Sequence, residues 1–130
     1  MIYGVGIDLV RIERVREVVE KWGKRFLERV FTGDEISYCF SKKDPYLSLA
    51  VRFAAKEALI KAIGSEIPVS LKDMEVVNFG SGKPFIKAGG GLRRFLDEKG
   101  IHGAHLSLSH EKDYGVACVV LEAATPMGRL

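Results

Sequence analysis

The feature that most constrains the fold is a long run of helix-forming residues that is apolar around most of its circumference. It begins at Asp44-Pro45, where an N-cap residue precedes a proline in the first helical position, and it ends at Gly64. Residues 46–63 contain no helix breaker, and several of them are alanines. Such a helix must be enclosed by other elements. We therefore predict a long central helix packed on a sheet.

Shorter elements fill the rest of the chain. Residues 2–10 are apolar at both odd and even positions, which predicts a strand buried on both faces. Residues 11–30 have three- and four-residue apolar spacing, which predicts a helix broken at Gly23. Thr32 and Glu35 form a capping-box pattern for a short helix to about Phe40. Period-two patterns predict strands at 74–79, 84–87, 104–109 and 115–122, with a short helix at 92–99.

These elements predict one α+β domain over residues 1–122 with a mainly antiparallel sheet, followed by a tail over 123–130. The chain has 130 residues, of which 47% are hydrophobic and 28% charged, as in a globular domain. We expect a cytoplasmic protein, because no apolar run suits a membrane span and the N-terminus lacks the pattern of a signal peptide. Cys39 and Cys118 are expected to be buried thiols.

Three residues are candidates for a site with a carboxylate and a base. Asp8 interrupts an apolar strand, so it must be paired, hydrogen-bonded or bound to a metal. Its position is equally consistent with capping the next helix and with binding a ligand. Glu57 and Lys61 lie one helical turn apart, which predicts an ion pair. Their setting among small apolar residues also suggests a site.

The remaining polar motifs are less specific. His110 follows a Leu-Ser-Leu-Ser strand pattern without the partners of a catalytic triad. The segment Gly80-Ser81-Gly82-Lys83-Pro84 departs from a phosphate-binding P-loop, so it is predicted to be a hairpin turn whose backbone and lysine could meet a phosphate. The net charge of +3 permits an acidic partner or a phosphate-bearing ligand. Basic residues between positions 11 and 29 form either a solvated face or a groove for an acidic helix.

Five segments in register carry a resemblance to a known family. They are Gly6-Ile7-Asp8-Leu9, Phe31-Thr32-x-x-Glu35, Arg52-Phe53-Ala54-Ala55-Lys56-Glu57-Ala58-x-x-Lys61-Ala62, Gly82-Lys83-Pro84 and Leu106-Ser107-Leu108-Ser109-His110. Over about residues 1–122 the chain resembles the holo-[acyl-carrier-protein] synthases, the short single-domain group of the 4′-phosphopantetheinyl transferase superfamily. An extra residue at Trp22-Gly23 and the tail at 125–130 depart from the family pattern.

The resemblance implies a Mg²⁺-dependent transferase of fatty acid biosynthesis. The phosphopantetheine arm of coenzyme A would move to a serine of apo acyl carrier protein, releasing adenosine 3′,5′-bisphosphate. Asp8 and Glu57 resemble the metal-binding carboxylates, and Lys61 resembles the lysine that meets the diphosphate. Either Glu57 or a water on the metal would take the serine proton.

The resemblance also implies where the two substrates bind. The positions that match coenzyme A contacts are Arg52, Gly82, Lys83, Pro84 and His110, together with Lys61. The positions that match the face toward the carrier protein are Arg14, Arg25, Phe26, Arg29 and Phe53. The family assembles as homotrimers with active sites at subunit interfaces, so the residues of one site need not come from one chain.

Two other functions use part of the same residues. A Mg²⁺-dependent nucleotide phosphotransferase or hydrolase would need the carboxylates and the lysine but no protein partner. A non-enzymatic RNA-binding module would use the positive net charge, yet the chain lacks the aromatic and loop motifs of such modules and would have no use for Asp8 and Glu57. The resemblance favours neither nucleic-acid nor membrane binding.

Overall fold

A three-stranded antiparallel sheet with one long helix across its inner face forms the centre of the protein. The computed structural model describes residues 1–64 and 67–124. In chain order the elements are β1 (Ile2–Arg11), α1 (Ile12–Trp22), α2 (Lys24–Val30), α3 (Gly33–Phe40), α4 (Pro45–Ile63), a 3-10 helix (Leu71–Asp73), β2 (Met74–Asn78), β3 (Pro84–Ala88), α5 (Gly90–Glu98), β4 (Ile101–His110) and β5 (Tyr114–Ala123). The strand order is β1-β5-β4 in the main sheet, and β2 and β3 form a separate antiparallel hairpin. The α+β prediction is confirmed.

Helix α4 is the central helix that the sequence predicts. Oδ1 of Asp44 accepts hydrogen bonds from the backbone N–H groups of Tyr46 and Leu47, which caps its first turn. Gly64 ends the helix in the left-handed conformation, with φ of 85°. Most of its apolar residues are buried against β1, β5 and the helices around it, whereas Tyr46, Leu47, Phe53 and Ile60 are only partly buried. Within the described ranges, no helix is long and apolar enough to span a bilayer.

Two glycines let α4 lie directly on the backbone of β1. A Cβ atom at Gly4 would be 2.0 Å from the carbonyl oxygen of Ala62, and one at Gly6 would be 1.8 Å from that of Ala58. No side chain fits between the two elements at these positions. Since β1 alternates its faces, Asp8 projects toward the same helix, two residues beyond Gly6.

The prediction that β1 is buried on both faces is wrong for the single chain. Val5, Ile7 and Leu9 are 56%, 61% and 63% exposed. They lie on the side away from α4, and in the described ranges no element of the chain packs over them. Strand pairing places each of them beside a residue of β5, which in turn lies beside a residue of β4. Ile7, for example, is opposite Cys118, and Cys118 is opposite Ser107. We call this surface the outer sheet face.

The shorter elements follow the predicted signals closely. Gly23, with φ of 55°, separates α1 from α2, and Thr32 and Glu35 form both hydrogen bonds of the capping box. Helix α5 begins at Gly90 rather than at residue 92, and β4 extends to include His110. Both cysteines are free, but Cys118 is only half-buried because it lies on the outer sheet face. The tail is predicted over 123–130, but β5 runs to Ala123, and residues 125–130 lie outside the described residues.

A buried ion pair joins α4 to α3 and to the start of β2. Nζ of Lys56 lies 2.7 Å from Oε1 of Glu35. It also donates to the carbonyl oxygens of Val30, Leu71 and Met74 at 2.8–2.9 Å. Burial lowers the pKa of this ammonium, and the Glu35 carboxylate partly offsets the effect. The carboxylate therefore helps to keep the buried lysine charged.

Candidate active site

The inner face of β1 brings Asp8 against α4. Nζ of Lys61 lies 2.9 Å from Oδ1 of Asp8 and donates to the backbone oxygen of Ile7 at 3.1 Å. The predicted ion pair between Glu57 and Lys61 is therefore wrong, because the lysine turns across to the strand. The capping interpretation of Asp8 is also wrong, since the residue preceding α1 is Arg11 and it makes no side-chain cap.

Glu57 shares this region with Asp8. Burial raises the pKa of Glu57, and the negative charge of Asp8 raises it further, while the charge of Lys61 acts in the opposite direction. Like charges held in a partly buried place repel each other, so a bound cation or a proton would be favoured between them. The pair has the electrostatics of a ligand site rather than of a solvated surface.

The donor set fits magnesium. In residues 1–64 and 67–124, no three His, Cys, Asp or Glu side chains are grouped so that they could hold a metal ion by themselves. Two carboxylates are what a Mg²⁺ site commonly supplies when the remaining ligands are water and substrate phosphate. Asp8 and Glu57 would be these ligands, each on a rigid element.

Both carboxylates line a cavity of about 610 Å³ between β1, α1, α2 and α4. Arg14, Phe26 and Phe53 line it as well, so three of the five carrier-facing candidates are brought together with the carboxylates. The rings of Phe26 and Phe53 lie 6.4 Å apart. The cavity thus combines a charged end with an aromatic wall.

Arg25 and Arg29 lie outside this cavity. Both are exposed on α2, close to the cavity along the chain but not among the residues that line it. The guanidinium carbon of Arg25 is 5.9 Å from the centre of the Trp22 ring. These two arginines extend the basic surface beyond the cavity.

A second cavity, of about 480 Å³, contains most of the coenzyme A candidates. Arg52, Gly82, Pro84 and His110 line it. Lys83 is exposed in the same turn but does not line it, and Lys61 lines neither cavity. The two cavities share no lining residue, so one chain keeps the carboxylates apart from these contacts.

Sequence reasoning missed the partners of Arg52. Its guanidinium donates to Oγ of Ser48 at 3.0 Å and to Oδ1 of Asn78 at 2.5 Å, and its carbon lies 4.2 Å from the centre of the Tyr38 ring. Ser48 could have been found, because it lies one helical turn before Arg52. Asn78 and Tyr38 are distant in sequence, and no local pattern connects them to the helix.

Comparisons with known proteins agree with this architecture. A sequence model of the 4′-phosphopantetheinyl transferase superfamily matches residues 4–119. A holo-[acyl-carrier-protein] synthase of Halothermothrix orenii is 45% identical over 94% of this chain and 98% of its own length. The synthase of Carboxydothermus hydrogenoformans is 47% identical, covering 92% and 97%.

Solved structures give the same result. The holo-[acyl-carrier-protein] synthase of Neisseria meningitidis superposes with a TM-score of 0.87 at 38% identity, over 94% of this chain and 99% of that one. The enzyme of Bacillus anthracis, solved in complex with CoA (3′,5′-ADP), gives 0.78 at 38% identity, over 95% and 99%. The resemblance inferred from sequence motifs is confirmed, and the chain belongs to the 4′-phosphopantetheinyl transferase superfamily, in its group of holo-[acyl-carrier-protein] synthases.

Proposed function

We propose that this chain transfers the 4′-phosphopantetheine group of coenzyme A to a serine of apo acyl carrier protein in the cytoplasm, as a step of fatty acid biosynthesis. The serine oxygen forms a bond to phosphorus, and adenosine 3′,5′-bisphosphate leaves. The observation that carries the proposal is the meeting of Asp8 and Glu57 in a cavity lined by Arg14, Phe26 and Phe53, in a chain of this family.

Asp8 and Glu57 hold Mg²⁺ in this proposal. A Mg²⁺ ion bound there supplies positive charge to the phosphate oxygens as negative charge develops on them. Lys61 lies beside Asp8 and adds a further positive charge to the diphosphate. Either Glu57 or a water on the metal would accept the serine proton.

The nucleotide end of coenzyme A binds in the second cavity. Arg52 and His110 face it from α4 and from the end of β4, and the Gly82-Lys83-Pro84 turn closes one side. Arginine recognises phosphate through paired N–H donors, and a glycine-containing turn lets backbone N–H groups approach it. A coenzyme A complex of the Helicobacter pylori synthase, 31% identical with a TM-score of 0.80, supports this assignment of the ligand.

The carrier protein binds over the exposed basic side of α1 and α2. Arg14, Arg25 and Arg29 would attract an acidic partner helix, while Phe26 and Phe53 offer apolar contact at the cavity. This arrangement directs the carrier serine toward the carboxylates.

The active enzyme is a homotrimer whose outer sheet faces pack together. Val5, Ile7 and Leu9 form an exposed apolar row, which Val116 and Val120 continue on β5. Contact of such a surface with water is unfavourable, so it favours assembly. Assembly also allows the carboxylate cavity of one copy to meet the nucleotide cavity of another. Sedimentation should give a species of three times 14.4 kDa, and Ile7→Asp should dissociate it. A wild-type chain that stays monomeric at micromolar concentration would contradict the assembly.

The activity is tested by the mass of a purified apo carrier protein after incubation with the chain, coenzyme A and Mg²⁺. We expect a gain of one phosphopantetheine group that EDTA abolishes. Asp8→Asn and Glu57→Gln should each lower the rate by at least about 100-fold. Asp97→Asn is the matched control, since this aspartate is exposed on α5 and pairs only with Arg93 among the described residues. No mass gain with several carrier proteins, while coenzyme A is hydrolysed, would favour the nucleotide hydrolase instead.

A further inference from the structure

Two buried cations of α4 lie one turn apart but have different partners. Lys56 is matched by the Glu35 carboxylate at 2.7 Å. Arg52 is 4% exposed, and in residues 1–64 and 67–124 no carboxylate lies within ion-pair distance of it. Its partners are a hydroxyl, an aromatic ring and an amide, all of them neutral. A buried charge without a counter-charge is costly, so this guanidinium is suited to an anion from outside the chain.

One N–H group of the guanidinium has no hydrogen-bond partner among the described residues. Within the described ranges, Nε of Arg52 is the one buried side-chain nitrogen or oxygen that has no hydrogen-bond partner. Buried N–H groups are almost always paired in folded proteins. Arg52 also lines the second cavity, so its side chain adjoins the space where a ligand anion would bind.

Asn78 connects this guanidinium to the glycine turn. Its Oδ1 accepts from Nη2 of Arg52, and its Nδ2 donates to the carbonyl oxygen of Gly82 at 2.9 Å. The turn itself is closed by two backbone hydrogen bonds, from Phe79 to Lys83 and from Gly82 to Phe79. One amide therefore sets the distance between the arginine and the turn. Asn78 is the single asparagine of the chain, and glutamine does not occur.

We propose that Asn78 is a positioning residue whose neutral amide holds the Gly82-Lys83-Pro84 turn against Arg52 while leaving the charge of Arg52 for a phosphate group of the nucleotide. The inference rests on the proposed function, since it concerns the coenzyme A site. An uncharged amide can accept from the guanidinium through its oxygen and donate to the turn through its nitrogen at the same time. A carboxylate at this position would neutralise Arg52, and its oxygen would be repelled by the carbonyl oxygen of Gly82.

The direct test is the binding of adenosine 3′,5′-bisphosphate, measured by calorimetry without carrier protein. Asn78→Asp should weaken binding by about 100-fold. The new carboxylate would neutralise the charge of Arg52, and the hydrogen bond to the Gly82 carbonyl would be lost. Asn78→Ala should weaken it by about 10-fold, because only the hydrogen bonds are lost. Lys87→Gln is the matched control, because it changes the net charge equally at the far end of the same hairpin, and it should stay within about twofold.

Kinetics separate positioning from loss of structure. Both Asn78 variants should raise KM for coenzyme A and keep kcat at saturation, whereas partial unfolding would lower kcat and leave KM unchanged. If Asn78→Asp binds the nucleotide as well as Asn78→Ala or better, the neutrality of the amide has no role and the inference is overturned. If the wild-type chain does not bind the nucleotide, the proposed coenzyme A site itself is wrong.

Discussion

Replacing Gly6 by alanine tests how closely β1 and α4 must approach. The added Cβ would lie 1.8 Å from the carbonyl oxygen of Ala58 and 2.9 Å from the backbone nitrogen of Ala62. Neither atom belongs to a side chain that could rotate away. Because such contacts are essentially never shorter than 3.0 Å, the strand and the helix must separate by about 1.2 Å.

This displacement affects stability and activity by different routes. Overpacking one methyl group usually costs about 1–3 kcal/mol, and rigid backbone on both sides places Gly6→Ala at or above about 3 kcal/mol. Asp8 lies two residues further along the displaced strand. A shift of about 1 Å between reacting groups can lower a rate by about 100-fold. We therefore expect Gly6→Ala to be less stable than the wild type, and the molecules that do fold to transfer phosphopantetheine much more slowly.

Urea unfolding and the carrier-protein mass assay measure the two effects. Gly33→Ala is the control, because Gly33 has no atom within 4 Å of its added Cβ and does not have a positive φ. It should remain within about 1 kcal/mol of the wild type and fully active. If Gly6→Ala also remains within about 1 kcal/mol and keeps its rate, then the close contact does not hold Asp8 in place.

Four further predictions concern other parts of the molecule. Lys56→Met leaves the Glu35 carboxylate buried and unpaired, so unfolding experiments should show a loss of about 3–5 kcal/mol, and a loss below about 1 kcal/mol would contradict the buried pair. Burial raises the pKa of the Cys39 thiol, so its reaction with a thiol reagent should be slow at pH 8 and should accelerate at higher pH as the thiolate forms. Cys118 should react quickly in dissociated chains and slowly in the assembly, and equal rates would argue against an interface on the outer sheet face. Arg14→Glu should raise KM for the carrier protein about tenfold while KM for coenzyme A stays the same, and an equal rise in both would indicate misfolding.

Local signals account for the parts of the fold that the sequence predicts correctly. Asp44-Pro45 and Gly64 mark α4 because caps act within one turn of the helix end. Gly23 and the Thr32–Glu35 capping box mark the shorter helices for the same reason. Such rules depend on residues a few positions apart, so one sequence is enough to apply them.

Contacts between distant segments could not be predicted in the same way. Lys61 forms its ion pair with Asp8, 53 positions away, and not with Glu57 in the preceding turn of its own helix. The hydrogen bond between Asn78 and Arg52 likewise depends on how the hairpin packs against α4. The apolar residues of β1 indicated burial correctly for one face, but a sequence does not say whether the other face is covered by its own chain or by another.

The alternation of β1 also restricts how this protein can change in evolution. Gly4, Gly6 and Asp8 face α4, while the alternating residues Val5, Ile7 and Leu9 form part of the outer sheet face. Inserting or deleting one residue here would exchange the two sets, turning the carboxylate outward and driving a branched side chain into the backbone of α4. Related sequences should therefore accept many apolar replacements along this strand while keeping its length fixed between the first glycine and the aspartate.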